Sequence, residues 1–250
     1  ERVERQGSAL AEPDLVGEMG LATIGGLQDN MVVACGKHFP GHGDTATDSH
    51  KELPVVDAGI QRLRETEFPP FQQAIRHGVA SLMTAHVLYR ALDPDAPATL
   101  SPGVIQRLLR EEFRYDGVVF TDDLEMHAII DHDGIGEAAV RSFVAGCDVL
   151  LICKDQDRVM AAMQAMERAV QDGRITQERL EQSIGRVTRL KARYLHPYKP
   201  VTISDARLVV GCRSHKVLLD SWHKAYARHS LPKVAENSQP AALDSPVTHV

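Results

Sequence analysis

The sequence predicts an α/β fold built on parallel strands, and three observations carry that reading. Four short runs, near 31–39, 79–87, 117–124 and 148–153, are apolar or β-branched throughout instead of alternating, as strands covered on both faces are. Helical stretches separate them, at 59–77, 102–113 and 135–145, and two more follow the last run. The strands recur at spacings of about 30 to 45 residues, long enough for a helical crossover, which requires parallel pairing. Four such strands fit half of an eight-stranded barrel or a small doubly wound sheet.

Each element has a local reason. A polar lead precedes a helix near 13–28. In 59–77, Ile60, Leu63, Phe68, Phe71, Ala74 and Ile75 form the apolar side, Pro69-Pro70 predicts a break, and Gly78 suits a helix C-terminus. Ser101 is the expected N-cap, and Pro102 the first residue, of the helix over 102–113. "GIG" at 134–136 lacks the dinucleotide-binding pattern and reads as a helix start. Residues 157–171 place Val159, Met163, Met166 and Val170 on one stripe, ended by Gly173; the methionines there, with Met126, read as packing residues. A helix over 177–194 follows. "HPYKP" at 196–200 is a linker-like turn, a helix near 204–228 comes next, and the polar, proline-containing stretch 229–250 is expected to be disordered.

Composition bounds the function. The chain has 250 residues, 43% of them hydrophobic and 25% charged, as expected of a globular protein with a sizeable core. A formal charge of -6 argues against a nucleic-acid partner. No apolar run reaches the roughly 18 residues needed to span a bilayer. Cys35, Cys147, Cys153 and Cys212 lack paired metal spacing and read as thiols in a reducing compartment.

In parallel α/β folds ligands bind at the C-terminal ends of the strands. Each apolar run here delivers polar groups to that rim: Lys37 and His38 from the first, His86 from the second, Asp122 and Asp123 from the third, Lys154 and Asp155 after the fourth. Successive strand residues face opposite ways, so only one of Asp122 and Asp123 points inward. An inward carboxylate suits a nucleophile or general base, while a pair of aspartates also suits helix capping. The stretch "GKHFPGHGDTATDSH" at 36–50 admits more than one chemistry. His38, His42, Asp44, Asp48 and His50 include metal-ligand types. Alternatively Asp48 orients His50 as a proton shuttle, or the loop is only glycine-rich and solvated.

"KHFPGHGDTATDSH" together with "VVFTDDLEM" resembles the glycoside hydrolase family 3 β-N-acetylglucosaminidases of the bacterial cell-wall recycling type. "LPVV" at 53–56, "SLMTAHVLY" at 81–89, "PATLSP" at 97–102 and "GIGEAAV" at 134–140 extend the likeness, in order, over roughly residues 13–195. The resemblance implies a TIM-type (β/α)8 barrel, apparently truncated at the N-terminus so that about strands 5–8 are present. Residues 1–195 would then be the C-terminal portion of the catalytic barrel, 196–228 a linker and helix, and 229–250 a tail. It implies a retaining exo-β-N-acetylglucosaminidase that removes terminal GlcNAc from muropeptides. Asp122 would be the nucleophile, His50 the acid/base and Asp48 its orienting partner, with Lys37 and His38 as substrate binders; His86, from its place at the end of the second run, is expected to join them. No metal or cofactor, a cytoplasmic location and a monomer complete the expectation. The sugar-binding arginine of the pattern has no clean counterpart: Gly7 stands where it is expected, and Arg5 is out of register. A metal-dependent hydrolase on the 38–50 loop, a phosphate-using version of the same site and an inactive relative are the competing readings.

Overall fold

The computed structural model describes residues 12–43, 45, 53–198 and 200–228. It divides into a unit ending at Tyr198 and a unit beginning at Lys199. Asp44, Asp48, His50, Arg5 and the 229–250 tail lie outside the described residues.

In the first unit, helix α1 (Pro13–Gln28) leads into strand β1 (Cys35–Phe39), the two-residue strand β2 (Val55–Val56) and helices α2 (Ile60–Thr66) and α3 (Phe68–Arg76). Strand β3 (Ser81–Thr84) and the short β4 (Leu88–Tyr89) follow, then a 3-10 turn at Ala98–Leu100 and a wide-turn helix at Gly103–Glu112. Strand β5 (Val118–Asp123), helix α4 (His127–Ala145), strand β6 (Val149–Leu151) and helices α5 (Gln156–Gln171) and α6 (Gln177–Tyr194) complete it. The main sheet has the order β1-β3-β5-β6, parallel throughout, and β2 and β4 form a separate parallel pair. All four predicted runs are the strands of the main sheet. The sheet is open, with β1 and β6 at its edges among the described residues.

Punctuation residues act where expected. Gly78 ends α3 with φ +72. The hydroxyl of Ser101 accepts the N–H of Val104 at 3.1 Å, capping the wide-turn helix. The prolines at 69–70 occupy the first turn of α3 rather than breaking a helix there, so the interruption falls just before them, at Glu67. Gly134, at φ 66 and ψ 157, divides α4, so the second half starts at the expected place while the first half, from His127, was not foreseen.

The stripe predicted for α5 is a correction. Met163 is 60% exposed and Val170 is exposed, while Ala162 and Ala169 are buried with Met166 half-buried beside them. Small residues face α4 because the two helices lie close: a Cβ on Gly136 would come within 3.0 Å of the Ala165 methyl. Of the methionines, Met126 is buried and Met166 packs on the core, but Met160 and Met163 face outward.

A buried ion cluster ties α6 to the sheet at the end opposite the strand C-termini. Asp148, whose side chain is fully buried, accepts Arg110 Nη2 at 2.7 Å, the Val119 N–H at 3.0 Å, the Ser183 hydroxyl at 2.6 Å and Arg186 Nη1 at 3.3 Å. Arg179 lies 3.6 Å away and donates to the carbonyls of Phe143 and Cys147. In the second unit, α7 (Ile203–Val209) carries a Thr202–Asp205 capping box, and α8 (Arg213–Arg228) follows Gly211 at φ +68, where a single helix was expected. No helix of the described residues is long and apolar enough to cross a membrane.

Candidate active site

Two bulges build the site. Along β1 the pairing with β3 runs from Gly36↔Leu82 to Phe39↔Thr84, so β1 has one extra residue in the stretch that holds Lys37 and His38. Along β5 the pairing with β6 runs from Phe120↔Val149 to Asp123↔Leu151, so the extra residue falls at Thr121-Asp122. A bulge bends the strand and re-aims its side chains. The Thr121 hydroxyl fills the interrupted ladder by accepting the Leu151 N–H at 2.9 Å.

The two bulged strands are not neighbours, since β3 lies between them. Their side chains nevertheless meet: His38 Nε2 lies 3.4 Å from Asp122 Oδ2, both side chains about a quarter exposed. They therefore project to the same side of the sheet, at its C-terminal rim. The other Asp122 oxygen, Oδ1, accepts the N–H of Asp123 at 2.9 Å. Asp123 turns instead into its own backbone, where Oδ1 accepts the Glu125 N–H at 3.1 Å. One aspartate is thus presented and the other shapes the turn.

The remaining rim residues sort by contact. Lys37 is exposed beside His38. The His42 ring stands edge-on to that of His38, with centroids 5.7 Å apart, and its Nδ1 lies 3.1 Å from the Thr45 hydroxyl. His86 departs from its expected substrate-binding role: it is 1% exposed, packed under the rim between Thr99 and the Asp123 carbonyl. Asp155 is a helix cap, accepting the N–H groups of Asp157 and Arg158 at the start of α5. Among the described residues no group of three His, Cys, Asp or Glu side chains is placed to hold a metal ion.

Glu125 was not singled out by its sequence. Its nearly buried carboxylate accepts the N–H of Cys153 at 2.9 Å, the N–H of Lys154 at 2.6 Å and Arg158 Nη1 at 3.3 Å, lashing the loop after β6 to the turn after Asp122. The "TDDLE" spelling places an acid after the strand, but the partners lie about thirty residues on, beyond any local pattern.

Burial lowers the His38 imidazole to about 4, against the pull of Asp122, which raises it; Lys37, His42 and His86 act in the same sense as burial. A histidine harder to protonate in the folded chain than in the unfolded one, where it titrates near 6.5, gives stability that is complete above about 6.5 and lost as pH falls toward 4. The urea midpoint is expected to drop through that window, and His38→Gln to flatten the drop. An identical slope in the variant would refute the assignment.

Residues 6–190 match the family described as the glycosyl hydrolase family 3 N-terminal domain. A β-hexosaminidase of Nitrosomonas eutropha is 35% identical over 182 residues, 72% of this chain and 52% of that protein. A solved glycoside hydrolase family 3 β-N-acetylglucosaminidase from Paenibacillus superposes with a TM-score of 0.74 at 47% identity, over 76% of this chain and 36% of its own. The solved β-glucoside phosphorylase BglX superposes with a TM-score of 0.75 at 25% identity, over 82% of this chain and 38% of its own. The chain spans about half the length of the first of these relatives and less of the other two.

Proposed function

The chain belongs to glycosyl hydrolase family 3, and from that premise we propose that it acts as a retaining exo-β-N-acetylglucosaminidase on terminal β-linked GlcNAc of peptidoglycan fragments. The observation that carries the reading is Asp122: a carboxylate on a bulge at a strand C-terminus, facing His38 across an intervening strand. The four parallel strands are read as half of a (β/α)8 barrel, the half that bears the nucleophile.

A retaining glycosidase needs a nucleophile and a group that first gives and then takes a proton. Asp122 attacks the anomeric carbon, displacing the aglycone while His50 protonates the leaving oxygen. Water, deprotonated by His50, then cleaves the glycosyl ester. An imidazole with an ordinary pKa of about 6.5 suits both half-steps near neutral pH, and Asp48 two residues away would orient it and stabilise its charged form. Lys37 and His38 are read as binders of sugar hydroxyls. A monomer in the cytoplasm is the proposed setting; the four cysteines are all free thiols, in keeping with a reducing compartment.

The test is release of 4-nitrophenol from its β-GlcNAc glycoside by the chain as it stands, with and without EDTA and with and without inorganic phosphate. Turnover that survives EDTA and yields free GlcNAc is expected. Turnover abolished by EDTA would transfer the 38–50 loop to a metal-dependent reading. The likeness to a phosphorylase favours one second outcome, GlcNAc-1-phosphate formed when phosphate is present. No turnover in any arm would overturn the proposal.

A further inference from the structure

The turn that presents Asp122 is held from beneath by His86. Both ring nitrogens of this buried histidine are engaged: Nε2 lies 3.0 Å from the Asp123 carbonyl oxygen, and Nδ1 lies 2.8 Å from Thr99 Oγ1. A carbonyl oxygen only accepts, so Nε2 carries a proton. The Thr99 hydroxyl has one proton and three neighbours, namely His86 Nδ1, Thr84 Oγ1 at 2.8 Å and the Ala85 carbonyl at 3.0 Å. Given to Ala85, that proton obliges Nδ1 to donate as well, and the ring becomes a buried cation. Given to Nδ1, it leaves the ring neutral and one carbonyl short of a donor, the smaller cost of the two. Burial lowers the basicity of the ring, opposed by the Asp123 carbonyl and the Asp122 and Asp123 carboxylates and assisted by His42.

We propose that His86 is a positioning residue for the nucleophile: as the neutral, Nε2-protonated tautomer it anchors the Asp123 carbonyl to the Thr84–Thr99 hydroxyl pair and so fixes the strand end from which Asp122 projects. The linkage is short. Asp123 donates its N–H to Asp122 Oδ1, and its carbonyl accepts from His86 and from the Met126 N–H. The ladder with β6 resumes past the bulge at Asp123↔Leu151, and the N–H and carbonyl of residue 123 itself are engaged by these turn and side-chain bonds. A misplacement of a reacting group by about 1 Å can cost about 100-fold in rate, which is what such an anchor prevents.

The inference rests on Asp122 being the nucleophile, so it is tested by one measurement that needs no activity and one that does. In the nitrogen-15 NMR spectrum of the histidine-labelled wild-type chain, His86 is expected to carry its proton on Nε2, unchanged between about pH 5.5 and 8, where exposed imidazoles titrate. A doubly protonated ring or the Nδ1 tautomer would overturn the proposal. In kinetics, His86→Leu is expected to lower kcat about 10- to 100-fold with KM changed less than about threefold, and His86→Gln, whose amide supplies a donor near Nε2, to recover most of the loss. A rise in KM alone, or equal losses in the two variants, would refute the positioning role. Absence of turnover in the wild type would overturn the glycosidase reading instead, and the tautomer would then decide whether the anchor exists.

Discussion

Asp122→Asn is expected to lower kcat/KM on 4-nitrophenyl β-GlcNAc by about 10³-fold or more, as loss of a covalent nucleophile does. The fold should tolerate the change, because the residue is partly exposed and one side-chain oxygen remains to accept the Asp123 N–H. Asp122→Ala clears the space in front of the anomeric carbon. Added azide should then restore turnover and give the α-glycosyl azide, the product of one inverting displacement where two are normal. Asp123→Asn is the control. Its Oδ1 can still accept the Glu125 N–H, so its activity should stay within about tenfold of wild type. A loss in Asp123→Asn equal to that in Asp122→Asn would move the nucleophile to Asp123 and break the reading of which aspartate is presented.

That reading shows where the sequence spoke and where it fell silent. Strand alternation separates the two aspartates, but what brings Asp122 to His38 is the extra residue in β5, and one-residue bulges leave no mark in an apolar run. The four strands were legible because each is covered on both faces and therefore apolar throughout. The α5 stripe misled because hydrophobicity favours Val and Met, whereas close approach to α4 selects Ala. His86 was legible as a rim residue, yet its burial depends on Thr99 and Asp123, which come from two other segments. Asp48 and His50, expected from the resemblance to carry proton transfer, lie outside the described residues. The Asp148 cluster was invisible for a similar reason: Arg110, Arg179 and Arg186 stand more than thirty residues from Asp148, and only the fold brings them together.

That cluster gives the largest expected effect on stability. Asp148→Ala should destabilise the first unit by about 3–5 kcal/mol, measured as a fall in the urea-unfolding free energy. Three guanidinium groups converge on this carboxylate, and without it they face one another with little water to screen them. The Val119 N–H and the Ser183 hydroxyl also lose their acceptor, adding the cost of buried unpaired donors. Asp148→Asn should cost less, since an amide oxygen can still take one or two of these donors, but the charge imbalance persists. The decisive comparison is a double variant. Arg110→Met in the Asp148→Ala background removes one of the stranded charges, and is expected to recover part of the loss even though Arg110→Met alone destabilises. Additive losses, or a cost for Asp148→Ala below about 1 kcal/mol, would mean that water reaches the cluster and that α6 is held to the sheet by its apolar contacts instead.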